Sequence, residues 1–321
     1  KDFELSDDYP YVDKVINLSY NEGSEFTHNM VANSYSAPID ITKFEDSDFE
    51  GIQAAVYIFN TGSRADIKNL SEAKSGSSNT PGQYLSIPIG SAAAMKGAFE
   101  TPTVIAPMQG FCVHATEAGA KLRLDYEKLV YNATNKNTPL HVVAREQEQV
   151  GSLCVSLYAE GVADNLYLLE SEEYEAAYEN GYDAKKMESG EANIFAIEGT
   201  DHLAVDATNN IVGTRIGVRT GDTTAYVMTF THLNGQYLAL LDNETNEITE
   251  INEGTEYTFF AVPNSMITER FQIVASANAP AVTTGVNNTN EGETVQKFIQ
   301  NGQLFILKKG VLYNAMGAVV R

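Results

Sequence analysis

The sequence predicts an all-β protein: two β-sandwich or jelly-roll domains followed by a small C-terminal β-meander. Three observations carry that expectation. Apolar and polar residues alternate with a period of two, in short runs rich in Val, Ile, Tyr and Phe. Turn signals built on Gly, Asn and Pro separate the runs at near-regular intervals. Helical periodicity is confined to two short stretches, 66–74 and 91–99, the second opened by Ser91 as a candidate N-cap and weakened by Gly97.

The elements follow in order. Val56-Tyr57-Ile58-Phe59 is an apolar strand closed by Asn60-Thr61-Gly62-Ser63. Gln83 to Ile89 follows a Pro81-Gly82 turn, and 75–81 reads as an exposed Ser/Gly/Asn loop. Gly110 to Ala115 and Lys121 to Tyr126 complete the first set. A second set begins at Leu153–Tyr158 and Asn165–Leu169. It continues through 194–197, 202–205, 215–219, 226–231, 237–241, 257–262 and 271–274, with turns at Glu198-Gly199, Thr220-Gly221-Asp222 and Asn234-Gly235. The acidic stretch 170–179 is compatible with a helical turn or a wide loop. Four short segments close the chain, 295–299, 304–308, 311–314 and 318–320, with Asn301-Gly302 as a hairpin signal.

Charge marks the same divisions. The 321-residue chain has a formal charge of −22. Residues 146–293 hold 25 Asp and Glu against 5 Lys and Arg, whereas 294–321 hold four basic residues and no acid. The expected organisation is therefore an N-terminal domain over 1–145, an acidic second domain over 146–276, a linker over 277–293 and a meander over 294–321. The absence of clustered Lys and Arg argues against nucleic acid as a partner. No apolar run approaches the roughly 18 residues of a membrane-spanning helix. Two Cys cannot build a disulfide framework.

Candidate chemistry is sparse. His28, His114, His141, His202 and His232 lie more than four residues apart, so no local metal motif exists, and a His site would have to be assembled in space. Cys112 and Cys154 each sit in an apolar strand and read as small buried hydrophobes, with a bridge between them open if their strands face each other. The calcium-loop pattern is absent, but Asp46-Ser47-Asp48, Asp222 and Asp242-Asn243-Glu244 are loop acids able to offer oxygen to Ca²⁺. Tyr9, Tyr11, Tyr20, Tyr35, Tyr174, Tyr178 and Tyr182 lie near turns and are candidates for a sugar-binding face. No nucleophile elbow, P-loop or dinucleotide fingerprint is present, so no catalytic residue, bound cofactor or resident metal is assigned.

Two segments carry a resemblance. The tail from Val295 to Arg321 has a strand, a Gly turn, the apolar strand Leu304-Phe305-Ile306-Leu307, a second Gly turn, the strand holding Tyr313, then Gly317 and a basic end. It resembles the sorting-type C-terminal meander of Bacteroidetes secreted and cell-surface proteins. Asn29-Met30-Val31-Ala32-Asn33-Ser34-Tyr35-Ser36-Ala37-Pro38-Ile39-Asp40, Tyr57-Ile58-Phe59-Asn60 and Pro107-Met108-Gln109-Gly110-Phe111-Cys112-Val113 are similar to segments of adhesin-like β-sandwich modules in the same proteins. Ala32 and Ser34 stand where that pattern has Gly and Pro, and its Trp is missing. The resemblance implies a non-enzymatic cell-adhesion protein, extracellular or on the outer cell surface after signal-peptide removal, with an extracellular protein or glycan as partner. The start at Lys1 without Met is in keeping with processing. A carbohydrate-binding accessory protein reading glycans through Tyr-lined loops is the alternative, and a glycoside-active enzyme the more distant one.

Overall fold

A computed structural model describes residues 13–24, 27–60, 82–129, 150–159, 162–188, 190–278, 295–300, 303–308 and 311–314. The expected all-β class holds: strands dominate, and the one helix longer than a single turn among the described residues is Ala92–Phe99. The expected helix over 66–74, the loop over 75–81 and the last tail strand over 318–320 lie outside the described residues.

The first part of the chain forms β1 (Lys14–Asn17), β2 (Thr27–Ala32), β3 (Ile39–Asp40), β4 (Phe49–Glu50), β5 (Ala55–Phe59), β6 (Tyr84–Pro88), α1 (Ala92–Phe99), β7 (Val104–Ile105), β8 (Gly110–Ala115), β9 (Lys121–Leu124) and α2 (Tyr126–Leu129). These strands make three small sheets, ordered β2-β8-β5-β6, β1-β9-β4 and β3-β7. The cap expected of Ser91 is not made. Its hydroxyl donates instead to the Tyr182 carbonyl at 2.7 Å, so tertiary packing wins over local capping.

The second part supplies β10 (Gly151–Ala159), β11 (Val162–Glu170), β12 (Ala184–Lys185), β13 (Asn193–Glu198), β14 (Asp201–Thr208), β15 (Arg215–Arg219), β16 (Ala225–Asn234), β17 (Leu238–Asp242), β18 (Glu247–Glu250), β19 (Thr255–Phe260) and β20 (Met266–Ala275). They form one large, nearly closed sheet in the order β18-β17-β20-β15-β13-β14-β11-β10-β16-β19, with β12 added beside β14. All its pairings are antiparallel except β11 with β14. The acidic stretch after β11 is a wide loop of turns and bends rather than a helix.

Two cores explain the arrangement. Leu153, Val155 and Leu157 of β10 and Leu166 and Leu168 of β11 point into a core enclosed by the large sheet, with Tyr226, Met228, Phe230, Leu240, Phe259 and Phe271. Cys154, Tyr167 and Leu169, one residue out of step, point the other way. They join Tyr57, Ile87, Phe99, Phe111 and Leu122 in a core belonging mainly to the first part of the chain. The position drawn between 145 and 146 lies outside the described residues, and the chain on either side of it shares one core. Lys1–Ala275 is accordingly one compact unit and Ser276–Arg321 another.

The second unit holds β21 (Val295–Gln300), β22 (Gln303–Lys308) and β23 (Val311–Asn314), an antiparallel meander in register Gln300↔Gln303 and Lys308↔Val311.

One glycine shows how tightly the large sheet is specified. Gly217 lies opposite Phe195, whose ring covers it and stacks on His202 with centroids 3.9 Å apart. A Cβ at Gly217 would sit inside the Phe195 ring. Gly217→Ala is expected to destabilise the protein by about 1–3 kcal/mol through overpacking, read as a lower denaturation midpoint at unchanged m-value.

Candidate functional site

Three regions of the Lys1–Ala275 unit concentrate chemistry or exposed surface. The first is an open hollow of about 730 Å³ where β19 meets the start of β20. In β19, Tyr257 and Phe259 point inward, so alternation turns Phe260 outward. Phe260, Val262 and Met266 are 70, 72 and 46 % exposed. The loop carrying them is tied at both ends. The Thr220 hydroxyl donates to the Val262 carbonyl at 2.8 Å, and Ala261 N–H donates to the Thr224 carbonyl at 2.9 Å. Asn264, with φ of 51°, donates from Nδ2 to Asp222 Oδ1 at 2.8 Å.

Arg270 anchors the hollow from below. Its Nε and Nη2 donate to Asp242 Oδ2 at 2.9 and 2.8 Å, and Nη1 donates to the Phe260 carbonyl at 2.9 Å. Tyr257 adds its hydroxyl to Asp242 Oδ2 at 2.7 Å. Burial opposes ionisation of Asp242, but Arg270 and Tyr257 outweigh it and hold the carboxyl below the ordinary aspartate value. The exposed carboxylates of Glu244 and Glu269 complete the rim.

The second region is an open cleft of about 580 Å³ lined by Glu170, Glu172, Glu173, Asn209, Asn234 and Gln236. Glu170 accepts from Ile211 N–H at 2.7 Å and from Gln236 Nε2 at 2.6 Å, so it braces the wall.

The third is a cluster on the β2–β8 pair. Cys112 and His114 are two residues apart on one strand and share a face, and register sets His28 directly opposite His114. One ligating atom from each of His28, Cys112 and His114 lies within 4.8 Å of the others. His114 stacks on Tyr57 at 4.0 Å and meets His28 edge-on at 4.5 Å. Burial pushes the Cys112 thiol up to about 11 and His114 down to about 3, with the neighbouring His28 adding to the latter. In the sequence His28 stands far from Cys112 and His114. The C-x-H spacing on a strand was the available signal, and only the register of β2 supplies the third member.

The other expected residues disperse. His202 hydrogen-bonds Glu188 at 2.7 Å, His232 lies 3.1 Å from the Thr231 hydroxyl, and His141 is outside the described residues. Cys154 is a buried free thiol like Cys112. Burial pushes it up to about 12. Four of the loop acids are engaged by protein donors. Asp48 is buried against Lys128 at 3.0 Å, Asp222 accepts from Asn264, and Asp242 and Glu244 meet Arg270. Tyr9 and Tyr11 are outside the described residues, Tyr35 is buried and Tyr20 half-buried. Tyr174 and Tyr182 are tilted by 56° rather than coplanar, and Tyr178 accepts from Gln53.

Buried ionic groups behave as structure. Asp164 and Lys186, both almost fully buried, meet at 2.6 Å, and Asp164 also accepts from Ile194 N–H. Asp183, 1 % exposed, accepts N–H groups of Ala207 and Glu179 at 2.7 and 2.6 Å. Burial raises its carboxyl to about 7, against those two N–H groups and helped by Asp206 and Glu198.

The fold is that of an all-β protein built on a large, nearly closed sheet, with open surface hollows. Residues 13–275 match the family described as "Domain of unknown function (DUF8693)", and the chain belongs to that family. No curated protein and no solved structure matches it.

Asp183 has a pH consequence. Its folded value lies above the ordinary 3.8, so its contribution to stability is full below that value and is lost as pH rises through about 7. The rise corresponds to on the order of 4 kcal/mol between the two protonation states. Asp183→Asn is expected to lower stability at pH 5 by leaving one buried N–H facing an amide donor. The gap to wild type should shrink by pH 7.5, and denaturant melts showing a constant gap would exclude this titration.

Proposed function

We propose that this chain is a non-enzymatic binding module of a secreted or cell-surface protein, engaging an extracellular protein through the hollow at Phe260, Val262 and Met266. The observation carrying the reading is that these three large apolar side chains are exposed together on a loop held by internal hydrogen bonds. Isolated exposed apolar residues are ordinary, but a grouped and pre-ordered set is the form of an interaction site. Glu244 and Glu269, paired with Arg270 and Arg215, stand exposed at the rim in a strongly acidic part of the chain that leaves a net negative surface. The complementary partner therefore presents apolar residues ringed by Lys or Arg. The tail and N-terminal resemblances support an extracellular setting and an adhesin-like role.

A glycan is the second reading, favoured by the carboxylate- and amide-lined cleft at Glu172, Glu173, Asn209 and Asn234. Such side chains suit hydroxyl recognition.

The two separate in one experiment. The immobilised chain is screened against purified extracellular proteins and a glycan array. The expected result is a protein ligand whose Kd rises at least about tenfold in Phe260→Asp/Val262→Asp, in keeping with loss of a central apolar anchor. The melting temperature should be unchanged, and added salt should weaken binding. Glycan binding lost in Glu172→Gln/Glu173→Gln would transfer the function to the cleft. Protein binding indifferent to the Phe260/Val262 change would overturn the proposal.

A further inference from the structure

The β2–β8 register creates a donor set that the binding reading does not use. Cys112 and His114 are fully buried, while His28 opposite them is exposed. Sulfur and two imidazoles converge at one end of the β2–β8 pair, with His28 the member exposed to solvent. Oxygen-binding cations have no match here, since hard ions take carboxylates and carbonyls. Thiolate with imidazole suits a borderline-soft transition metal.

We propose that His28, Cys112 and His114 bind one thiophilic transition-metal ion, Zn²⁺ matching the donors best. A tetrahedral zinc shell with Zn–N of about 2.0–2.1 Å and Zn–S of about 2.3 Å sets its ligand atoms roughly 3.3–3.8 Å apart. The three donors lie within 4.8 Å of one another, so a contraction of about an ångström completes the set. His28, exposed on its strand, is the ligand placed to make that movement. His114 is the fixed one. Tyr57 stacks on its ring, and the Tyr57 hydroxyl lies 2.5 Å from Gln53 Oε1 and 3.1 Å from the Lys185 carbonyl. Tyr57 is thus a positioning residue for the ligand imidazole. On binding, the Cys112 thiol loses its proton to solvent and forms the metal–sulfur bond, and each imidazole donates a ring-nitrogen lone pair. Three protein ligands leave a fourth position for water. The ion joins β2 to β8 through side chains as well as through the ladder, so occupancy stabilises the folded state.

The test uses the full, tag-free chain, reduced and stripped with chelator, then titrated with Zn²⁺ and with Co²⁺ as a spectroscopic probe. The expected results are one retained Zn²⁺ per chain, a higher melting temperature, and a thiolate-to-Co²⁺ charge-transfer band absent from Cys112→Ser. Ca²⁺ and Mg²⁺ should produce no such stabilisation. His28→Ala should weaken Zn²⁺ binding by at least about tenfold, the lower end of what perturbing a metal shell costs, with its metal-free melting temperature unchanged. Because His28 is exposed, this variant keeps the test decisive even where Cys112→Ser fails to fold. Failure to retain Zn²⁺, or equal affinity in wild type and His28→Ala, would overturn the site.

Discussion

The structure depends on a hairpin buried on both faces. Every residue of β10 and all but the last of β11 are buried, because one face closes the core of the large sheet and the other covers the core of the first part of the chain. Antiparallel sheets commonly leave one face to water. Here the continuous run Leu153-Cys154-Val155-Ser156-Leu157-Tyr158 has no solvent face, and its side chains serve two cores in alternation. Each fully buried aliphatic or aromatic side chain contributes roughly 1.5–3 kcal/mol, so the shared hairpin couples the stability of both cores.

Burial on both sides makes the polar residues of that hairpin demanding. Asp164 is almost fully buried in β11, and Lys186 together with the Ile194 N–H satisfies its carboxylate. Ser152 donates to the His232 carbonyl at 2.8 Å, and Asn165 donates to the Tyr167 hydroxyl at 3.2 Å. Removing one partner of such a pair leaves an uncompensated charge or donor, which costs more than the pair itself contributes. These groups fix register, since a one-residue slip would turn Asp164 away from Lys186 and reverse every apolar side chain. Asp183 does similar work between the wide loop and β14, gathering two backbone N–H groups from segments with no ladder between them.

The surface follows from the same economy. Alternation in β19 sends Tyr257 and Phe259 inward and Phe260 outward, and Arg270 stacks over Phe259 and Phe271 while holding Asp242. The hollow at Phe260, Val262 and Met266 is therefore built on a rigid base. The cluster of His28, Cys112 and His114 arises differently. Period-two geometry places Cys112 and His114 together, but His28 is 84 positions earlier than Cys112 and reaches them only through strand pairing.

What the sequence determined by itself was local. Alternation and turn chemistry marked most strands, the meander at the C-terminus and the all-β class, because side-chain direction in a strand depends only on parity. Composition reached further and set the acidic character of 146–293. Tertiary structure alone decided which strands pair, that residues on both sides of position 145 share a core, and that Ser91 serves Tyr182 rather than its own helix. It also decided which polar groups come together: Asp164 with Lys186, Asp242 with Arg270, His28 with Cys112 and His114. The physical reason is range. Periodicity is a property of neighbours in the chain, whereas a buried charge or a ligand set is completed by residues whose proximity exists only once the sheets have formed.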